Sequence, residues 1–309
     1  MATKLSEHVY VLEGGTNIGV VLADDGRAVL IDSGLNDTPA RKALRFVREE
    51  LGTELAAIIN THGHADHFGG NAWLVKRTDA RVYAPDLDEM TLRHPLMQPI
   101  MLYGGADPAD ALRTSFLVAA SSPIDGIVKH GQNTIAGIKF EAISLAGHSM
   151  NQMGYVVEGI FFCADVVFPE VTLQKYPIPY LYGLTEHLHA LEVSKSVEAI
   201  HIVPGHGPVL DDIDSLVEKN LRAINRVIQT IREIVNQPMM ADEICRTLFL
   251  RMNLTMSDPQ AYYLLRPTIQ AYLAHLERTG VLKVGMQDQS VVWLPATQLR
   301  LGDTLQYSG

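Results

Sequence analysis

Thr61-His62-Gly63-His64-Ala65-Asp66-His67 sets three imidazoles and a carboxylate within six positions, 62–67. Neutral imidazole is the common ligand of zinc and other borderline divalent metals, and a carboxylate oxygen is a good partner ligand. His62 and His64 alternate, so an extended chain points both the same way. Asp66 and His67 follow where the chain begins to turn, and face a second position. Gly69-Gly70 then let the backbone leave tightly. A solvated histidine-rich loop is the plain alternative, but four candidate ligands in this arrangement favour a site for two metal ions side by side.

The flanking residues place this cluster in a fold. Leu55-Ala56-Ala57-Ile58-Ile59-Asn60 reads as a buried strand, so the ligands sit at its C-terminal end. Asn71 to about Thr78 reads as a helix. Three further polar residues stand at the ends of apolar runs. His148, in Gly147-His148-Ser149, follows Phe140–Leu145. Asp165 follows Gly159–Ala164. His206, in Pro204-Gly205-His206-Gly207-Pro208, follows Ala199–Val203. Active-site groups are often carried on loops after strands in α/β layers.

The set His-x-His-x-Asp-His, Gly-His-Ser, Ala-Asp and Gly-His-Gly resembles the metallo-β-lactamase superfamily, over about residues 5–212. The resemblance implies an α/β fold, an αββα sandwich of two mixed sheets with helices outside. It implies that His62, His64 and His148 hold one ion, that Asp66, His67 and His206 hold the other, and that Asp165 bridges them. It also implies two divalent ions, zinc first and iron or manganese as alternatives. A bridging hydroxide would attack an electrophilic carbonyl or phosphorus. Asp66 is the group expected to orient that hydroxide or take its proton.

Upstream, His8–Leu12, Gly19–Ala23 and Ala28–Ile31 read as strands, with Asp24-Asp25-Gly26-Arg27 as a hairpin turn. The third ends in Asp32-Ser33-Gly34, where the family has an acidic residue. Asp32 is either a group that orients a ligand histidine or a turn-forming aspartate. Phe168 to Gly183 is rich in proline and tyrosine and leaves directly from Asp165. Lys175, Tyr176, Tyr180 and Tyr182 are its candidate substrate-binding residues; the alternative is a rigid surface loop packed by its aromatics. His187 and His189 fit no ligand pattern and read as helix-surface residues.

The chain has 309 residues, 47% of them apolar, enough for one large domain and a small one. No apolar run reaches the length of a membrane span, and residues 1–7 lack the apolar core of a signal peptide. Only Cys163 and Cys245 are present, which argues against a disulfide framework and suits a reducing cytoplasm. The net charge of −10 does not suggest a general polyanion binder.

Residues 86–134 read as an insertion between sandwich strands, with a short helix from Arg113 to Ala120. The segment suits a lid, a cleft wall, a dimer contact or a satellite core. After residue 212 the composition changes. Val217, Leu221, Ile224, Ile228, Ile231 and Val235 recur at helical spacing, so a long amphipathic helix spans about 213–236. A second is expected over Ala241–Met252, and a third from about Pro267 to Arg278. Val281–Val284 and Ser290–Leu294 flank a turn. Three helices and a hairpin over 213–309 resemble a winged helix, as in the lactamase-β-like endoribonuclease branch. Ten Lys/Arg stand against eight Asp/Glu from Ser215 onward, so no clear basic face is expected and a cleft wall or oligomer contact is favoured. The leading function is hydrolysis of a small ester, thioester or lactone, as in the hydroxyacylglutathione hydrolases. A metal-dependent endoribonuclease is second. An iron-dependent sulfur dioxygenase and a non-catalytic binding protein follow.

Overall fold

The computed structural model describes residues 2–298; residues 299–309 of the C-terminal unit lie outside the described residues. Seven strands form one sheet in sequence order. They are β1 (Ala2–Lys4), β2 (Val9–Leu12), β3 (Ile18–Leu22), β4 (Ala28–Ile31), β5 (Leu55–Ile59), β6 (Arg81–Pro85) and β7 (Gly126–Val128). The first four pair antiparallel, and β4 to β7 pair parallel. A second sheet holds β8 (Gly131–Ile135), β9 (Ile138–Ser144), β10 (Met153–Val157), β11 (Ile160–Ala164) and β12 (His201–Pro204), in the order β12-β11-β10-β9-β8.

Alternation along each strand explains why the sheets stack. In β11, Ile160 and Phe162 enter the core between the sheets, while Phe161 and Cys163 point to the outer face. In β4, Val29 and Ile31 face inward, and Ala28 and Leu30 face out. Both faces of both strands are buried, so each sheet needs a helical layer outside it.

Outside the first sheet lie α1 (Asp37–Arg45), α2 (Ala65–Phe68) and α3 (Asn71–Val75), through Ala40, Leu44, Phe68 and Leu74. Two short helices follow, α4 (Glu89–Arg93) and α5 (Met97–Leu102). The segment from α6 (Glu170–Lys175) leads to α7 (Leu184–Lys195), which covers the second sheet with α8 (Asp214–Ile234), α9 (Ala241–Arg251) and α10 (Pro259–Arg278). One apolar core runs from Phe161 and Leu191 through Val217, Ile224 and Leu248 to Ile269 and Leu273. The hairpin of β13 (Leu282–Gln287) and β14 (Ser290–Pro295) closes the described chain. The architecture is αββα, with a C-terminal helical region and hairpin in the expected order. No helix among the described residues is long and apolar enough to cross a membrane.

Four local expectations change. The segment 86–134 contains β7 and most of β8, so its part without strands ends at 125. Arg113–Ala120 forms turns, with a 3-10 turn at Asp110–Leu112 before it. The third C-terminal helix starts eight residues earlier than 267, capped by Asp258 with Pro259 in its first turn. Pro267 lies inside that helix, held there by packing of its neighbours Leu265 and Ile269 in the core. His187 is fully buried, not on the surface, while His189 is exposed.

The topology brings the polar residues together. Strands β4 and β5 are parallel, as are β11 and β12, and β10 runs antiparallel to both β9 and β11. Asp32, the 61–67 loop, the 147–149 loop, Asp165 and His206 therefore all leave the C-terminal ends of strands. Tyr155 Oη donates to the Asn60 carbonyl (2.7 Å), and Met153 N donates to the Thr61 carbonyl (2.9 Å), which lock the two sheets together beside the loop.

Candidate metal centre

His64 lies in extended chain ahead of α2, after a bend that carries His62, and the single turn of α2 carries Asp66 and His67. The turn redirects the last two side chains, so one short segment serves two positions. Three donor groups are close enough to hold a metal ion: His62, His64 and His148; His62, His67 and Asp165; and Asp66, His67 and His206.

Hydrogen bonds behind the rings fix which nitrogens face inward. Thr61 Oγ1 donates to Asp32 Oδ2 (2.8 Å) and so accepts from His62 Nδ1 (3.0 Å). His148 Nδ1 donates to the Tyr180 carbonyl (3.1 Å). Both rings thus carry a lone pair on Nε2, and both Nε2 atoms face His64 Nδ1, at 3.0 and 2.9 Å. One proton cannot satisfy this triangle. Three convergent lone pairs are what a cation needs, and donors around a tetrahedral zinc lie about 3.4 Å apart. Burial, aided by the neighbouring imidazoles, pulls His62 well below its ordinary pKa. Burial likewise takes His64 to about 4, though Asp66 and Asp165 oppose it, and His148 to about 3. All three are neutral at neutral pH.

The other half is charged. His67 Nδ1 donates to Asp32 Oδ2 (2.8 Å), and His206 Nδ1 donates to the Gly15 carbonyl. Their Nε2 atoms face carboxylates: His67 at 3.4 Å from Asp165 Oδ1, and His206 at 3.3 Å from Asp165 Oδ2 and from Asp66 Oδ2. Burial opposes a proton on His67, but Asp165, Asp32 and Asp66 outweigh it and raise the ring to about 10. Asp165, against burial, lifts His206 to about 12. Burial would raise Asp66, yet His67 and His206 hold it down to about 2. Asp165 is pushed well below the usual carboxylate range by the same two rings, against its burial. Its two oxygens lie between the halves, since Oδ2 is also 3.4 Å from His148 Nε2. His67 Nε2 and Asp165 Oδ1 are buried without a hydrogen-bond partner among the described residues. A dication between them supplies what neither has, so the donor set fits metal.

Several residues that hold the loops were not singled out in the sequence. Asp88, just before α4, accepts from Gly63 N (2.9 Å) and from Asn151 N (2.7 Å). One carboxylate thereby ties the His62–His64 loop to the chain after His148. Its burial raises it to about 6 against these hydrogen bonds. Asn17 Nδ2 donates to the carbonyls of Pro204 (2.9 Å) and Gly207 (2.7 Å), bracketing His206. Gly205 is required by close approach: a Cβ there would lie 2.0 Å from Asp165 Oδ1 and 2.9 Å from His67 Cε1. Asp32 and Ala164 both adopt positive φ, 62° and 50°, where the chain turns from a strand into the site.

A cleft of about 740 Å³ opens above His64, Asp66, His148, Asp165 and His206. Lys175, Tyr176 and Tyr180 line it; Tyr182 is exposed and does not. Tyr180 sits edge-on to His64 and His148, and burial raises its phenol to about 12, so it stays protonated. Lys175 is exposed, with Nζ 5.0 Å from the Tyr176 ring centroid.

Similarity to known proteins accords with this geometry. A family model described as the metallo-beta-lactamase superfamily matches residues 11–215. A hydroxyacylglutathione hydrolase of Xanthomonas campestris pv. campestris (strain B100) is 30% identical over 155 residues, 49% of this chain and 46% of that protein. The match thus spans about half the length of that relative. A beta-lactamase-like protein 2 homolog of Drosophila melanogaster is 22% identical over 92% of this chain and 90% of its own. A metallo-beta-lactamase family protein of Thermus thermophilus superposes with a TM-score of 0.72 at 18% identity, over 94% of this chain and 100% of that one. With the αββα layers and the clustered His/Asp donors, the matched model establishes that the chain belongs to the metallo-β-lactamase superfamily.

Proposed function

We propose that this chain hydrolyses a small-molecule thioester, ester or lactone, using two divalent metal ions of the zinc type. One observation carries the reading: seven imidazole and carboxylate side chains cluster, and five of them, His64, Asp66, His148, Asp165 and His206, line a cleft large enough for a small substrate. His62, His64 and His148 would hold one ion, and Asp66, His67 and His206 the other, with Asp165 reaching both. Ions held there would supply Lewis-acid polarisation of the carbonyl and make water a better nucleophile at neutral pH.

The chain's own residues do the rest. Asp32 and the Gly15 carbonyl keep the Nε2 atoms of His67 and His206 free of protons once the carboxylates no longer demand them. Asp66 is the partly exposed carboxylate on the cleft floor. It orients the attacking water and takes its proton. The water oxygen bonds to the carbonyl carbon, the C–S or C–O bond breaks, and the proton passes to the leaving sulfur or oxygen. The two free, buried cysteines suit a reducing cytoplasm.

The test pairs metal analysis with turnover. The reading expects about two zinc-type ions per chain, hydrolysis within a thioester, ester and lactone panel, and no cleavage of a single-stranded RNA. His62→Ala and Asp165→Asn should each abolish turnover. A single iron with oxygen consumption, or RNA as the preferred substrate, overturns it.

A further inference from the structure

Beyond the metal cluster, the cleft has a chemistry of its own. Among the described residues that line it, the only charged side chains outside the His/Asp donors are Lys175 and Asp258. The rest is largely apolar and includes Phe116, Ile178, Leu254, Met256, Leu264 and Leu265. Four of these come from the chain just before α10 and from α10 itself. Leu254, Met256, Leu264 and Leu265 are only partly buried, and Phe116 across from them is 49% exposed. Apolar surface left in a concave, water-filled site is covered favourably by apolar ligand atoms.

The walls are built structure rather than loose chain. Thr114 Oγ1 donates to Gln260 Oε1 (2.6 Å), which clasps the segment bearing Phe116 to the first turn of α10. The Tyr103 and Tyr263 rings pack 5.0 Å apart, and Leu264 packs on Leu112 and Leu117 in a small core of its own. A glutathione thioester carries two carboxylates and an ammonium on its thiol. Recognising it calls for several fixed cations. Among the described residues this cleft offers one, an exposed lysine lying over a tyrosine ring, with Asp258 in the same lining and a net charge of −10 on the chain.

We infer that the substrate carries an uncharged apolar chain beside its scissile bond, and that this chain lies against Leu254, Met256, Leu264 and Leu265. The inference rests on the hydrolase reading above. The apolar chain belongs either to the acyl group or to the leaving thiol or alcohol, and the experiment separates the two. The zinc-loaded full chain is assayed on two series, acetyl to decanoyl thioesters of one small thiol and acetyl thioesters of ethanethiol to octanethiol, beside S-lactoylglutathione. In one series kcat/KM should climb about three- to fourfold per methylene until the cleft is filled, and S-lactoylglutathione should lie below the longest members. Flat dependence in both series with S-lactoylglutathione as the best substrate overturns the inference and leaves the hydrolase reading intact. A second readout needs no turnover: calorimetric titration of the metal-free chain with butanamide and octanamide. Octanamide should bind on the order of a hundredfold more tightly, from four added methylenes; equal affinities overturn the inference. If no ester is hydrolysed while this difference is present, the hydrolase reading fails and the apolar cleft stands. Met256→Asp, on the loop before α10, should flatten the chain-length dependence in both assays; a wild-type slope in the folded variant counts against it.

Discussion

Replacing Asp32 with asparagine probes the site through a residue that points away from the cleft. Asp32 Oδ1 accepts from Thr61 N (2.8 Å), and Oδ2 accepts from Thr61 Oγ1 and His67 Nδ1 (both 2.8 Å). Alanine would leave three buried donors unpaired at about 1–3 kcal/mol each. That sum rivals a total stability of about 5–15 kcal/mol, so Asp32→Ala is expected not to fold. Asparagine keeps the Thr61 N–H on its carbonyl and turns an amide N–H toward His67. His67 Nδ1 must then accept, so its proton moves to Nε2, the atom that faces Asp165 and Asp66. A protonated Nε2 cannot ligate. Loss of such an orienting partner costs about 10–100-fold in metal affinity, about 1.4–2.7 kcal/mol. Thr61 Oγ1, which donates to the same Oδ2 while accepting from His62 Nδ1, loses its acceptor as well, so both halves should weaken, one through His67 and the other through His62. Zinc competition with a chromophoric chelator resolves the two affinities, and nitrogen NMR of the imidazoles reports the tautomer. Two ions bound with wild-type affinities, or an unchanged His67 tautomer, would refute the reasoning.

The two halves should also differ in protons. His67 and His206, raised to about 10 and 12, are protonated in the metal-free chain at pH 7.5, whereas His64 and His148, at about 4 and 3, are neutral. Calorimetry in buffers of different ionisation enthalpy should find that filling both positions releases about two protons; release of none contradicts the assignment. Stability of the metal-free chain should peak near the unfolded histidine value of about 6.5. The raised pair, His67 and His206, contributes stability that is full below that value and lost as pH rises toward 10–12. The depressed rings, His62, His64 and His148, contribute stability that is present above it and lost as pH falls. A urea-midpoint series from pH 5 to 9 that rises steadily in either direction would contradict this. His187 is buried with both ring nitrogens unpartnered among the described residues, and burial lowers it to about 4. His187→Leu should therefore hold or raise stability, by about 1 kcal/mol, since a buried polar group without hydrogen bonds is a cost; a fall in Tm of several degrees argues for an undetected partner. Asp88→Ala removes the acceptor shared by Gly63 and Asn151. It should lower stability by about 2–5 kcal/mol and weaken zinc at His62/His64/His148; wild-type zinc affinity there would exclude the tether. Lys175→Ala should change turnover without releasing metal, and unchanged kinetics would take Lys175 out of substrate binding.

What could be read from sequence was what is local. The 61–67 cluster and the three distant donors each follow an apolar run, and strand-end placement depends only on neighbours along the chain. The hairpin at 24–27 and the long helix after 213 were legible for the same reason. Asp88 was not, because its partners lie 25 and 63 residues away and nothing beside it marks them. His187 carries a surface-like residue type into the core because α7 packs against Gly147, whose absent side chain leaves room only for the helix backbone. Pro267 read as a helix start on propensity alone, and tertiary packing overrode it.

The same distinction governs selectivity. The donors that would activate water come from strand ends fixed by the two sheets, and variation elsewhere need not disturb them. The surface that meets the rest of a substrate is assembled from three distant segments: Phe116 and Leu117, Lys175 to Tyr180, and Leu254 to Leu265. No one of these spells a ligand. Their apolar character emerges only when α10 packs against α5 and α7 and is clasped to Thr114. Substitutions along that face should therefore move preference among substrates far more than metal content, whereas substitutions at Asp32 or Asp88 should do the reverse.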